Sequence, residues 1–170
     1  MTSIVSTLSV AQVRNLSATA ITNFTTEDIE ALSAQQIAAL SATQVAAIEV
    51  EDFEALSEEQ LGSFTAAAVK GLTVDQIAAL DVAKVDDLSK TQVAALSATQ
   101  IGAFSTDQLE ALTADQVTGL TAAQVATFDA TDIAEFSTDE IAAISTKAIS
   151  GLTTDAVAAL STDQVGALTT

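Results

Sequence analysis

Large apolar residues recur every eight positions along this chain. Leu8, Leu16, Phe24, Leu32, Leu40 and Ile48 open a series that runs without insertion or deletion to Leu152, Leu160 and Leu168. A second apolar column follows the first by five residues, from Val13, Ile21 and Ile29 through to Val157 and Val165. The position just after each large apolar residue carries a side-chain oxygen: Ser9, Ser17, Thr25, Ser33, Ser41, Glu49, Ser57, Thr65, Thr73, Asp81 and onward to Ser161. Self-similarity of this kind governs any local assignment of structure.

Two continuous folds fail on the spacing. In a single long helix, eight residues advance about 800°, so both columns would drift roughly 80° per repeat and form no stripe. In a straight strand, the spacings of five and three place the columns on opposite faces. Short-period β-coils also favour Gly or Asn at their corners, and this chain has only six Gly. Ala, Gln, Glu and Leu, which dominate the repeat, favour helix.

A helix that restarts in every octad accommodates all the positions. The hydroxyl or carboxylate after the large apolar residue is the N-cap, accepting from the first orphan amides. Three residues later stands Gln, Asp or Glu in most octads, as at Gln12, Asp28, Gln36, Gln44, Asp52, Gln60, Gln76, Gln92 and Gln100, which completes a capping box. Ala20, Ala68, Lys84, Ala148 and Ala156 depart from it. The two apolar columns then fall at the positions of a hydrophobic staple. "LSATQIGAF", residues 96–104, is one such unit, and the next cap ends its helix after about one and a half turns because Ser, Thr and Asp favour non-helical backbone there.

One octad orders eight residues to bury two apolar side chains, and that burial does not offset the lost entropy. The octads therefore coil on one another, with both columns inward. The expected fold is an all-α solenoid, or superhelix, of short capped helices, one per octad, with residues 1–7 as a lead-in and 8–170 as a single repeat domain. Small residues such as Ala38, Ala39, Ala94 and Ala95 allow close coil-to-coil approach. Gly71, Gly119 and Gly151 are candidates for the closest contacts. Phe24, Phe64 and Phe104, with Ile144 next, hint at a higher period of five octads that Phe128 and Phe136 interrupt. The number of helices per turn is left open.

Composition narrows the chemistry. The chain has 23 acidic and 5 basic residues, a formal charge of −18, and neither Cys, His, Pro, Trp nor Tyr. Thiolate and imidazole metal sites and His- or Cys-based catalysis are excluded. The negative field disfavours nucleic acid and anionic membrane surfaces as partners. It also keeps in solution a chain whose mean hydropathy is +0.41. "MTSIVSTLSV" lacks the basic and apolar regions of a Sec signal peptide, and the longest uncharged stretch is too polar to span a bilayer. An exported protein would use a leaderless route, or the chain is a fragment of a longer one.

The acidic pairs Glu27–Asp28, Glu51–Asp52, Glu58–Glu59, Asp86–Asp87 and Asp139–Glu140 supply hard oxygens that Ca²⁺ favours. Most fall in a first helical turn, where the helix dipole and the box account for them more simply. Neighbouring hydroxyls such as Ser105–Thr106, Ser137–Thr138, Thr153–Thr154 and Ser161–Thr162 form a polar ladder that could meet ice, glycan or protein. No residue is assigned as catalytic, cofactor-binding or metal-ligating, and no cofactor is expected.

"LTADQVTGL" resembles helix starts in the DNA-binding repeats of transcription-activator-like effectors, but those repeats are about four times longer and carry a basic stripe missing here. "LSAQQIAAL", "LTVDQIAAL" and "FSTDQLEAL" resemble "LSTDQVAAL"-type octad tracts of large, acidic, Cys-free surface or secreted proteins of proteobacteria, over essentially the whole chain. That resemblance implies a non-enzymatic role at the cell surface or outside the cell, as scaffold, stalk, fibre or adhesin. Because the octad pattern reaches close to both ends, end-to-end self-association is the expected partnership, with a protein or glycan partner as the alternative.

Overall fold

The computed structural model describes residues 4–168. Among them are seventeen α-helices of four to six residues, four short 3-10 turns and no strand. The chain forms two compact units, one reaching to Asp87 and the other starting at Leu88.

Each octad is built by the same local rule. In residues 33–40, Ser33 adopts φ −71° and ψ 157°, its side chain accepts from the Gln36 amide, and helix Ala34–Ile37 follows. The Ile37 amide donates to the Ser33 carbonyl at 2.9 Å, and the Leu40 amide closes the segment onto the Ile37 carbonyl at 3.1 Å. The last turn thus tightens from i−4 to i−3 bonding, which leaves Leu40 and Ser41 to carry the chain into the next helix. No described residue has positive φ. The corners are extended backbone, so they need no glycine.

Capping boxes form as the spacing predicts, and the exceptions have reasons. Ser17 and Thr153 cap their helices but face Ala20 and Ala156, which cannot reach back. Glu49 makes no side-chain cap bond, which corrects the expectation that every such oxygen caps. At Ala68, Lys84 and Ala148 the octad holds a 3-10 turn instead of an α-helix: Val69–Gly71, Val82–Lys84 and Ile149–Gly151. The described part of the lead-in, Ile4–Thr7, is a 3-10 turn in which Val5 is buried.

Within each unit, helices pack on those three octads away. Up to Asp87, Val10–Arg14 packs on Ala34–Ile37, Ala18–Thr22 on Ala42–Val45, and Thr26–Glu30 on Val50–Glu54. From Leu88, Lys90–Ala95 packs on Ala114–Val117, Ala98–Ile101 on Ala122–Val125, and Thr106–Glu110 on Ala130–Glu135. Three octads therefore complete one turn of the coil, and the five-octad spacing of the Phe residues does not set it.

Both apolar columns face the interior. Val13, Ile37, Val45, Val93, Ile101, Val117, Val125 and Ile133 are fully buried, and Leu32, Leu40, Leu56, Leu112 and Leu120 nearly so. Phe128 and Phe136 meet edge to face inside the second unit, with ring centroids 5.4 Å apart. Irregular features recur ten octads apart. Ala68 and Ala148, Gly71 and Gly151, and the two 3-10 turns beside them occupy equivalent places in the two units.

Candidate functional site

The glutamine three residues after each N-cap does more than close its own box. Gln76 Oε1 accepts from the Thr73 amide at 2.9 Å. Its Nε2 donates to the carbonyls of Val45 at 3.0 Å and Ile48 at 2.7 Å, 31 and 28 residues back. Gln36, Gln44 and Gln60 repeat this in the first unit, reaching Val5 and Leu8, Val13 and Leu16, and Ile29 and Leu32. In the second unit, Gln124 reaches Val93 and Leu96, and Gln164 reaches Ile133 and Phe136.

Each such amide satisfies orphan N–H groups of its own helix and orphan C=O groups at the end of a helix one coil earlier. These glutamines are buried, between 1% and 5% exposed. The sequence reading found the box and missed the ladder. Its signal was present: a chain with 23 carboxylates still places Gln, not Glu, at most of these positions, and only an amide both accepts and donates.

Where Gln is absent, other chemistry takes the position. Lys84 Nζ donates to the carbonyls of Leu56 at 2.8 Å and Glu54 at 2.9 Å, keeping the 28-residue reach without a box. A groove lined by Phe53, Glu54, Ala79, Leu80, Asp81 and Lys84 lies beside it. Asp52 cannot donate; it instead accepts from Thr26 Oγ1 of the earlier coil at 2.7 Å, and Asp132 accepts from Thr106 Oγ1 at 2.9 Å. These two pairs are again ten octads apart.

The acidic pairs are spread through this framework. Asp28 closes a box with Thr25, and Glu140 with Ser137. Asp52 is 7% exposed and engaged with Thr26. Asp87 Oδ2 is buried without a hydrogen-bond partner among the described residues. Burial raises the Asp87 pKa above the usual carboxylate value, Glu58 and then Asp86 add to the rise, and Lys84 opposes it. No three carboxylates among the described residues are grouped to hold a metal ion. The hydroxyls of the polar ladder that start helices, Ser105, Ser137, Thr153 and Ser161, are occupied as caps.

Coiling by three octads sorts the surface charge. In the first unit, the stacked octads opened by Phe24, Ile48 and Leu72 carry Glu27, Asp28, Glu30, Glu49, Glu51, Asp52, Glu54 and Asp75, with no basic residue. The stack opened by Leu16, Leu40 and Phe64 carries Lys70 alone. The second unit repeats the division. The stack from Phe104, Phe128 and Leu152 is wholly acidic, and that from Leu96, Leu120 and Ile144 carries Lys147 alone. No described helix is long and apolar enough to cross a membrane.

None of the curated proteins matches this chain. The family model described as the ALTTAQ repeat matches residues 45–82, 85–122 and 133–170. Each matched stretch holds most of five octads, and together they cover well over half of the sequence. The chain, with its capped octads coiled three to a turn in each unit, belongs to the ALTTAQ repeat family.

Proposed function

We propose that the chain is a non-enzymatic structural module, an extended scaffold or fibre subunit of the bacterial surface or extracellular space. The observation that carries this reading is the glutamine ladder. One hydrogen-bonding device, repeated from Gln36 to Gln164 in both units, sets coil on coil, and even its exceptions are structural substitutes. Repeat arrays of this type gain length and stability by adding units, each contacting only its neighbours. The resemblance to octad tracts of proteobacterial surface proteins supports the location.

Removing one whole coil, residues 33–56, tests the modular part. The expected product keeps its helicity per residue by circular dichroism and shortens in small-angle scattering; loss of the fold would defeat the reading. Protease shaving of intact source cells, followed by immunodetection, tests the location. Signal lost on shaving supports the surface, whereas signal confined to lysed cells removes it.

A second reading, an adhesion module, is favoured by the charge segregation. The acidic stack of each unit offers a cationic protein partner a continuous field, while hydroxyls on the same octads suit glycan. Titration with a polylysine peptide and a neutral oligosaccharide separates them from a passive scaffold, which binds neither tightly.

A further inference from the structure

Lys84 shows what a ladder position can hold in place of an amide. Its Nζ donates to the Leu56 and Glu54 carbonyls, 28 and 30 residues back, at 2.8 and 2.9 Å. Glu54 and Asp81 line the groove around it. Ala156 stands at the same position of an octad nine repeats later, inside the second unit. Its helix, Thr154–Ala159, packs on Ala130–Glu135 of the coil before. The equivalent carbonyls are those of Phe128 and Ala126, and neither receives a hydrogen bond among the described residues. A groove of about 370 Å³ opens at this place, lined by Ala126, Thr127, Phe128, Asp129, Thr153 and Asp155 among others. Asp129 Oδ1 accepts from the Thr131 and Asp132 amides at 2.7 and 3.0 Å, which leaves Oδ2 to face a ligand. Asp155 lies exposed in the first turn of its helix.

We propose that this groove binds a primary ammonium group, that of a lysine side chain or a free alkylamine, in the place that Lys84 Nζ takes in the first unit. This rests on the cationic-partner reading above and names the group such a partner presents. An ammonium has three donors and no acceptor, which suits two carbonyls and a carboxylate oxygen. A guanidinium is a planar fork made for paired in-plane oxygens. A divalent cation takes several carboxylates, and no three are grouped to hold one among the described residues. Asp129 and Asp155 match the ligand's charge, and no basic residue lies in their stack to compete. The groove is open to solvent, so binding is weak and loosens with salt. What separates it from the diffuse field of the acidic stack is its demand for N–H donors, which a quaternary ammonium of equal charge cannot meet.

Amide NMR shifts of the full chain, titrated at low salt, read this out with three probes: acetyl-Gly-Lys-Gly-amide, the same peptide trimethylated at Nζ, and butylamine. The lysine peptide and butylamine are expected to shift residues 126–131 and 153–156. The trimethylated peptide is expected to bind at least about tenfold more weakly, having lost its donors. A lysine peptide tighter than butylamine points to a protein as the source, and equal affinities to any alkylamine. Ala156→Lys supplies the chain's own ammonium to the Phe128 and Ala126 carbonyls, so it should abolish binding and raise the melting temperature. Ala158→Lys adds the same charge at an exposed position of the same helix and should leave binding in place. Asp129→Asn with Asp155→Asn keeps a capping side chain and should weaken binding, which serves if the Ala156 variant does not fold. Equal binding of the trimethylated peptide, shifts spread over the whole acidic stack, or no shift with either amine would overturn the site. Polylysine that still binds the Ala156→Lys chain as tightly leaves the cationic-partner reading standing without this groove, whereas polylysine that does not bind the wild-type chain removes both.

Discussion

Gln76 and Ile48 lie 28 residues apart in the chain, and the side-chain amide of the first donates to the main-chain carbonyl of the second at 2.7 Å. The same amide group accepts from the Thr73 backbone, so one side chain 1% exposed ties a helix start to the end of an earlier helix. Buried backbone groups must be paired or cost their desolvation energy. Helices of four to six residues leave most of theirs unpaired. The ladder is the means by which such short helices share that burden.

Substitutions at Gln76 separate its two roles. Gln76→Glu keeps the box acceptor but removes both donors and sets a carboxylate against two carbonyl oxygens in a dry site. It is expected to destabilise by about 3–5 kcal/mol. Gln76→Ala loses the bonds without adding charge, at about 1–3 kcal/mol. Gln76→Lys should cost less than Glu, because Lys84 already makes the same 28-residue reach. Urea unfolding at neutral pH reads the order; a Glu variant as stable as wild type would show that the donors carry no weight.

Gly71 and Gly151 are predicted to resist any side chain. A Cβ at Gly71 would collide with the Ala42 carbonyl oxygen, and one at Gly151 with that of Ala122. Backbone cannot yield as a flexible side chain does, so either Gly→Ala change should cost about 1–3 kcal/mol or more. Gly166 sits in helix Thr162–Ala167 with open space around it. There the same change should stabilise by about 0.5–1 kcal/mol. Thermal melts are expected to fall for the Gly71 and Gly151 variants and to rise for the Gly166 variant.

The Val column grades burial along the chain. Val125→Ala removes two buried methyls from a fully enclosed site and should cost about 1.6 kcal/mol or somewhat more, at about 0.8 per buried carbon plus a cavity contribution. Val165 is 48% exposed, and its change to Ala should stay within about 0.5 kcal/mol. Equal costs would mean that Val165 is as enclosed in solution as Val125.

The local rule was legible because it is written in single residues. Ser33, Gln36 and Ile37 sit at the cap, box and staple positions whatever surrounds them, and Gly71 and Gly151 stand out in a helix-favouring repeat. The three-octad turn was not legible. It is set by the summed backbone rotation at pairs such as Leu40–Ser41, and a strict eight-residue spacing is compatible with several such sums. The role of Lys84 was hidden for a related reason: read locally it only spoils a box, and its partners at Glu54 and Leu56 become visible once the coil brings them near. Charge sorting between the stacks of Phe24 and Leu16 likewise exists only after the turn is known.

Asp87 gives a prediction in pH. Burial of its carboxyl, with Glu58 and Asp86 nearby, raises its folded pKa above the unfolded value, against the opposing pull of Lys84. The folded state then holds the Asp87 proton more tightly than the unfolded state does. Stability attributable to this group is therefore greatest at acid pH and declines as pH rises from the unfolded value through the raised folded one. At neutral pH the part-buried carboxylate disfavours the fold relative to its protonated form, and its Oδ2 has no hydrogen bond among the described residues to offset this. Asp87→Asn should accordingly raise the melting temperature at pH 7, with the difference from wild type shrinking as both are titrated below the unfolded carboxylate pKa. A variant less stable than wild type at pH 7 would mean that the charged form is favoured by the fold.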